Sequence, residues 1–286
     1  DTNPLYLGIN PYPGVTLNNG VLEFIDLTAY ENLLTQLENE VEQHNADFFD
    51  SRDYMTDDEI NDLAETIGFD EFKPLRDFEN YFGFNSLRIQ VENQINTWLS
   101  YPHSTLSGYP EDNYKIDNEI EQTLLNTSGQ IIIAGNPITK DVIMGPSPGP
   151  GDTGCIWEDR KIANEDYTSG RVLKKKIIID GESCNPSNYC TPKAMFKGKG
   201  LTFKKSGLFK KFATKMRVRL YGKAYNNLCN FFQDYDTGFN NPNLKRRYRM
   251  VVKNPYPNTN NIATKYYETT NEIQLIGNTY SLVYAP

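Results

Sequence analysis

Lysine and arginine side chains crowd two stretches of the second half of the chain and are the residues best suited to bind a ligand. Ten of them lie between positions 193 and 219, with phenylalanines between them, and residues 245–249 add a second cluster. Cations interleaved with aromatic rings can bind nucleic acid, anionic glycans or acidic proteins, or can be a solvated face above an aromatic core. The predicted binding residues are Lys204, Lys205, Lys210, Lys211, Lys215, Arg217, Arg219, Arg246 and Arg247.

Residues suited to catalysis form no recognisable set. The acidic run over residues 50–62 lacks the glycine turn and the ligand spacing of a calcium loop. Thr56 followed by Glu59 is a capping box, which explains the acidic residues 57–59 as the first turn of a helix. The chain has two histidines, His44 and His103, and no Gly-x-Ser-x-Gly turn. We therefore predict no catalytic residue, no metal site and no cofactor.

All four cysteines lie in the second half of the chain, and four cysteines allow three pairings. Cys184 and Cys190 flank a short turn-rich loop. We predict a disulfide bond between these two and a second one between Cys155 and Cys229; four buried free thiols are the alternative. Zinc is not favoured, because residues 151–286 contain no histidine and the spacing from Cys184 to Cys190 is not that of a zinc knuckle.

The charge of the chain changes sign at a proline- and glycine-rich stretch, residues 145–154. Residues 1–150 contain 6 Lys and Arg against 26 Asp and Glu, a net charge of −20, whereas residues 151–286 contain 23 against 11, a net charge of +12. The length of 286 residues also favours two domains. We predict an acidic α+β domain over 1–145, a linker over 146–153 and a basic all-β domain over 154–286. Opposite charges indicate different partners, or two units that bind each other.

Apolar periodicity predicts helices in the first half and strands in the second. Helices are expected over about 29–45, from Thr56, from Ser86 and over 117–125, and a hairpin over 130–138. Strands are expected over 171–180, 195–204, 214–221, 248–253 and 273–284. Strict alternation predicts that Met216, Val218 and Leu220 face a core, while the cations between them face water or a ligand. The predicted fold is a mostly helical domain with a terminal hairpin, followed by an antiparallel sandwich or barrel.

Three stretches of the acidic half carry a resemblance to a known group. Residues 21–32 lead into a helix, residues 83–87 open another, and residues 123–136 run from Leu-Asn-Thr-Ser-Gly into an isoleucine-rich strand and a Gly-Asn hairpin. Over about residues 20–140 this order resembles uncharacterised exported proteins and lipoproteins of Bacteroidota-type bacteria. The resemblance implies a location in the periplasm or at the cell surface, and it implies no activity and no site residue.

Two further features agree with export. The sequence begins at Asp1 rather than at methionine, as a protein does after removal of a signal peptide. The cysteine count is even. No apolar stretch reaches the roughly 18–20 residues that span a bilayer, so no transmembrane helix is predicted.

These observations favour an exported, non-catalytic binding or assembly subunit at the bacterial cell envelope. Its expected partner is an acidic protein surface or an anionic envelope glycan, not nucleic acid. Alternatively, the acidic and basic domains contact each other, within one chain or between chains. One alternative is an envelope hydrolase that acts on glycan or peptide through two carboxylates about 5–10 Å apart. Another is a carbohydrate-binding module that uses the loops Tyr225–Asn227 and Phe239–Asn243.

Overall fold

The computed structural model describes residues 10–142, 160–168, 170–182, 193–225, 232–255, 266–275 and 278–284. The helices in these ranges are α1 (Leu27–Phe49), α2 (Asp57–Ile67), α3 (Lys73–Phe82), α4 (Leu87–Leu99) and α5 (Glu119–Leu124). The strands are β1 (Val15–Asn18), β2 (Val21–Phe24), β3 (Gln130–Ile133), β4 (Asn136–Thr139), β5 (Arg160–Thr168), β6 (Arg171–Glu182), β7 (Lys193–Ser206), β8 (Leu208–Lys211), β9 (Thr214–Tyr225), β10 (Phe232–Phe239), β11 (Lys245–Arg247), β12 (Arg249–Pro255), β13 (Tyr266–Leu275) and β14 (Asn278–Tyr284). Short 3-10 turns lie at Asp50–Arg52 and Pro110–Asn113.

These elements divide into two compact units. Unit 1 takes in the described residues of Asp1–Ala46, Asp70–Asn96 and Ile116–Ile143, and unit 2 takes in those of Asp47–Phe69, Thr97–Lys115 and Met144–Pro286. Two segments of the acidic half therefore belong to the unit that contains the basic strands. The predicted linker over 146–153 lies outside the described residues, and the division into domains over 1–145 and 154–286 stays a prediction.

Unit 1 combines helices with a four-stranded sheet of order β1–β2–β3–β4. Strands β2 and β3 pair in parallel, and the other neighbours pair antiparallel. Between β3 and β4 the φ angle is positive at Ala134 (51°) and Gly135 (76°), as in a tight hairpin turn. The predicted hairpin is therefore confirmed, but its turn residues are Ala134 and Gly135 rather than the predicted Gly135 and Asn136, because Asn136 already pairs with Ile133 in β4. The helices predicted over about 29–45, from Ser86 and over 117–125 are confirmed as well. Helix α3 is not among the predicted elements.

Unit 2 contains two antiparallel sheets of five strands each among the described residues. One has the order β10–β9–β13–β14, with β11 also paired to β9; the other has the order β12–β7–β6–β5, with β8 also paired to β7. Met216, Val218 and Leu220 on β9 are fully buried, which confirms the predicted alternation. Side chains from both sheets form one apolar cluster: Leu173, Ile177, Met216, Val218, Leu220, Met250, Val252, Ile273, Leu275 and Leu282. Helices and antiparallel sheets together confirm the mixed α+β class.

Two glycines on β7 allow β13 to approach closely inside unit 2. A Cβ atom on Gly198 would lie 2.7 Å from Oδ1 of Asn271, and a Cβ atom on Gly200 would lie 2.8 Å from Cδ1 of Ile273. Asn271 is fully buried, and its Nδ2 donates to the backbone oxygens of Lys176 (2.8 Å) and Lys199 (3.2 Å). The side chain of Asn271 thus joins β13 to the opposite sheet, and only a residue without a Cβ atom fits against it.

Replacement of Gly198 by alanine should destabilise the protein more than replacement of Gly200. The amide of Asn271 is fixed by two hydrogen bonds, whereas the terminal methyl group of Ile273 can rotate away. We expect Gly198→Ala to lower the free energy of unfolding by about 1–3 kcal/mol, as overpacking of a core does, and Gly200→Ala by less. Chemical denaturation of the two variants measures the difference; equal losses would contradict this role of Asn271.

Candidate binding surface

Residues 50–65 supply acidic partners to the predicted basic site. All the groups concerned belong to unit 2, and the nitrogen–oxygen distances are 2.7–2.9 Å. The pairs are Asp50 with Arg247, Asp53 with Lys215, Asp57 with Arg246, Asp58 with Lys204 and Glu65 with Lys210. Five of the nine predicted binding residues are therefore already paired with a carboxylate from residues 50–65.

Helix α2 carries three of these carboxylates, and its sequence determines where it begins and ends. Thr56 and Glu59 form the predicted capping box, in which the Thr56 side chain accepts from Glu59 N and the Glu59 side chain accepts from Thr56 N. The helix ends at Gly68, which has a φ of 66°. Its buried residues Ile60 and Ala64 share an apolar cluster with Phe48, Phe49 and Ala213. The acidic side of α2 is thereby held toward the basic strands.

Asp57 is the most enclosed of the paired carboxylates. Its side chain is 12% exposed and that of Arg246 is 3% exposed. Arg246 Nε donates to Asp57 Oδ1 at 2.7 Å, and Thr214 Oγ1 donates to Asp57 Oδ2 at 2.6 Å. Arg171 Nη1 lies 3.3 Å from the same Oδ2 atom. Arg246 also donates to the backbone oxygen of Met55 at 2.7 Å, so one guanidinium fixes the start of α2 to β11.

We expect Asp57→Asn to destabilise the protein far more than Asp58→Asn. Removal of the Asp57 charge leaves a buried guanidinium without its carboxylate, which costs about 3–5 kcal/mol. Asp58 and Lys204 are half exposed or more, so loss of that pair costs at most about 1 kcal/mol. Thermal or chemical denaturation measures both variants, which remove the same charge from adjacent positions. Equal stability of the two would contradict the role assigned to Asp57.

Arg217 and Arg219 lie on the opposite side of β9 from the apolar cluster. We define the arginine face as the part of this sheet surface formed by Lys215, Arg217, Arg219, Tyr221, Phe239, Glu272 and Gln274. The Arg217 guanidinium lies 4.2 Å from the centre of the Phe239 ring, and that of Arg219 lies 4.8 Å from the centre of the Tyr221 ring. Arg217 donates to Gln274 Oε1 (2.8 Å) and to the backbone oxygen of Pro242 (2.7 Å).

Arg219 and Asp236 form a two-point ion pair on the same face. Arg219 Nε donates to Asp236 Oδ1 at 2.8 Å, and Arg219 Nη2 donates to Asp236 Oδ2. These bonds from Arg219, with a further one from Gly238 N, lower the pKa of Asp236 from 3.8 to about 2. The pKa of Arg219 is raised by the same pair. Because the Asp236 pKa is depressed, the stabilising effect of the pair is complete above pH 4 and is lost as the pH falls through about 2.

The Asp236 carboxylate should therefore titrate about two pH units below an ordinary aspartate. A carbon-detected NMR titration of the side-chain carboxyl group measures this midpoint directly. In Arg219→Gln the midpoint should return toward 3.8, because the strongest donor is lost. A midpoint near 3.8 in the unaltered protein would contradict the pairing seen on this face.

The remaining predicted site residues are found as follows. Lys205 Nζ donates to the backbone oxygen of Ser104 at 2.6 Å and lies 5.0 Å from the centre of the Phe209 ring. Lys211 is half-buried at the end of β8.

The four cysteines, Cys155, Cys184, Cys190 and Cys229, lie outside the described residues, so both disulfide bonds stay predictions. Of the proposed sugar-binding loops, residues 226–227 also lie outside them, whereas Asn240 Oδ1 accepts from Val218 N at 3.0 Å.

Unit 2 also contains a buried cluster that the sequence analysis did not single out. We call Lys174, Lys176, Lys199, Glu111 and Asp112 the buried lysine cluster. Lys176 Nζ lies 2.5 Å from Glu111 Oε2 and 2.7 Å from Asp112 Oδ1, Lys199 Nζ lies 2.5 Å from Glu111 Oε1, and Lys174 Nζ lies 2.6 Å from Asp112 Oδ2. The side chains of Lys176, Lys199 and Glu111 are at most 4% exposed. The signal in the sequence was three consecutive lysines within an otherwise apolar strand.

The histidines and several buried carboxylates of the described residues make structural contacts. Within those ranges, no group of three or more His, Cys, Asp or Glu side chains is placed to hold a metal ion. His44 Nε2 lies 2.8 Å from the backbone oxygen of Asp70, and His103 stacks on Trp98. Two of the most buried carboxylates are ion-paired, Glu79 with Arg88 in unit 1 and Glu111 with lysines in unit 2. These groups are used as structural partners.

Unit 1 has a depression of about 290 Å³ beside the start of α1. Its wall is mainly apolar, with Ile25, Ala29 and Leu33 among the lining residues. The polar residue Asp26 caps α1, since its Oδ1 accepts from Ala29 N at 2.7 Å. Burial, followed by the nearby Glu40, raises the pKa of the lining residue Tyr12 to about 12, so its phenol stays neutral. The charged residue in this wall, Asp26, is thus engaged in capping α1.

Comparisons with known proteins give little on which to base a function. No protein-family model and no curated protein matches the chain. One solved structure similar to it is that of a DUF4848 family protein from Bacteroides thetaiotaomicron, with 11% identity and a TM-score of 0.28, over 95% of this chain and 100% of that one. This neighbour comes from a Bacteroidota-type bacterium, as does the group that the sequence resembles. A TM-score this low does not indicate a shared fold.

Among the described helices, none is long and apolar enough to cross a membrane.

Proposed function

We propose that this protein is an exported, non-catalytic binding or assembly subunit of the bacterial cell envelope, and that the arginine face of unit 2 binds an acidic protein. In this proposal the two five-stranded sheets of unit 2 are the layers of a sandwich that displays the arginine face. The observation that carries the proposal is the pair of arginines stacked on aromatic rings at the surface of β9. Arginine and aromatic residues are enriched where proteins bind one another.

The contacts of the two arginines favour a protein over a glycan. A sugar ring would stack on an open aromatic face, but Arg217 already lies over Phe239 and Arg219 over Tyr221. The contacts with other described residues leave Nη2 of Arg217 and Nη1 of Arg219 for acceptors on a partner. Stacking and hydrogen bonds fix both guanidinium groups before a partner arrives, which reduces the entropy lost on binding.

The spacing of the cations indicates the form of the partner. Lys215, Arg217 and Arg219 alternate along one strand, so their side chains are spaced about 6.6 Å apart. Acidic residues lie on the neighbouring strands, Asp236 on β10 and Glu272 on β13, where Glu272 is in register with Arg219. The face therefore presents a basic stripe between two acidic borders. An extended acidic segment of another protein has the matching spacing when its carboxylates occupy alternate residues.

The double variant Arg217→Gln, Arg219→Gln tests the proposal. Lys204→Gln, Lys210→Gln is the matched control, because it removes the same charge from two exposed pairs elsewhere in unit 2. Partners are first cross-linked and co-purified from the envelope fraction of the native host, and the purified partner is then titrated against each variant. We expect about tenfold weaker binding for the arginine variant, with a reduced dependence on salt, and little change for the control.

Three outcomes would count against this function. Equal affinity of both variants for the partner would show that the arginine face is only a solvated surface. Binding to isolated anionic envelope polysaccharide, with no protein partner, would replace the protein ligand by a glycan. Recovery of the protein in the cytoplasmic fraction of the native host would contradict export. Circular dichroism of each variant is the control for folding.

A further inference from the structure

The buried lysine cluster brings an amine, a carboxyl group and a second carboxylate together inside unit 2. We propose that Lys176 and Asp112 form a covalent amide bond between their side chains, an intramolecular isopeptide bond, with Glu111 as the proton-transfer group. The proposal is independent of the arginine face and of any partner. It concerns a modification that the chain performs on itself.

The distances place the reacting atoms within reach. Lys176 Nζ lies 2.7 Å from Asp112 Oδ1, yet Oδ1 accepts no hydrogen bond within the described part of the chain, so the amine approaches at an angle outside hydrogen-bond geometry. A carboxyl carbon lies about 1.2 Å from its oxygen, which places Nζ within about 4 Å of Asp112 Cγ. This is close to the separation of atoms held ready to react.

The surroundings favour a neutral amine. The Lys176 side chain is 0% exposed, and Tyr109, which is 1% exposed, covers the cluster with its ring 5.5 Å from Nζ. Removal from water disfavours both members of an ion pair. A proton can pass from the Lys176 ammonium to Glu111 along their 2.5 Å contact. The free amine that results is a nucleophile, whereas the ammonium is not.

The reaction balances without an oxidant, a reductant or an activating co-substrate. Glu111 first passes the proton taken from Lys176 to Asp112, which becomes a neutral carboxylic acid. Nζ then attacks Asp112 Cγ and a C–N bond forms. Glu111 carries a second proton from Nζ to the departing hydroxyl group, which leaves as water when one C–O bond breaks. One ammonium and one carboxylate become one neutral amide and one molecule of water. The Asp112 side chain is 24% exposed, which gives the water a way out. Loss of two charges from a buried site favours the product.

The intact mass of the full chain tests the bond. After reduction and unfolding, the protein should be lighter than its sequence predicts by one water molecule. Proteolysis should release a branched peptide in which the segment containing Asp112 is joined to Lys176. Glu111→Gln should restore the full mass, because glutamine cannot accept the proton. Asp112→Asn should instead lose one ammonia molecule, since the same attack then expels the amide nitrogen.

Lys174→Arg is the matched control, because Lys174 is the other amine beside Asp112 and lies 2.6 Å from Oδ2. It should keep the loss of water. A full sequence mass of the unaltered protein would overturn the proposal, even if Glu111→Gln fails to fold. Loss of water without a branched peptide would indicate a cyclic imide at Asp112 instead of an isopeptide bond. A branched peptide joined through Lys174 would show that Lys176 is not the reacting amine. Either result would overturn the proposal.

Discussion

A cation that is removed from water needs an anion beside it, and the interior of unit 2 depends on this requirement. Arg246 is buried at the start of α2, and Lys176 and Lys199 are buried beneath Tyr109. In their ion pairs with Asp57 and Glu111, these cations contact carboxylates that do not belong to the basic strands. The carboxylates come instead from residues 47–69 and 97–115, which belong to unit 2 although they lie in the acidic half of the sequence. Unit 1 obeys the same rule with its buried pair of Arg88 and Glu79.

The charge contrast between the two halves therefore has a partly internal explanation. A net charge of −20 in the first half and of +12 in the second suggests two surfaces that attract separate partners. Within unit 2, however, carboxylates from the first half of the sequence contact cations from the second half, both at the start of α2 and beneath Tyr109. Part of the contrast therefore reflects the order in which paired charges occur along the chain. The arginine face, where Asp236 and Glu272 border the cations, is the surface that we propose for an external ligand.

The sequence was sufficient where a local rule decides the structure. The capping box at Thr56, the hairpin over 130–138 and the alternation on β9 each depend on neighbours a few residues away. Each is found, with the hairpin turn one residue earlier than predicted. The sequence was insufficient where contacts between distant residues determine the structure. Helix α3 is only ten residues long and is not predicted from the sequence, although Leu75 and Phe78 on one of its faces are buried. The partner of Arg246 lies 189 residues away, and no local pattern indicates which of many aspartates will meet it.

That separation of 189 residues also bears on how unit 2 acquires its structure. An isolated helix of eleven residues is marginal in water, and α2 has no basic residue in its last turn to stabilise it. Its apolar side contacts Phe48 and Phe49 nearby in the sequence, but the ion pair at its start can form only when β11 brings Arg246 to Asp57. Contacts between distant parts of a chain form slowly, because a long loop has to close before they form. The contact that fixes the start of α2 is thus a late one, in spite of the early place of the helix in the sequence, and until it forms, the guanidinium of Arg246 lacks its carboxylate.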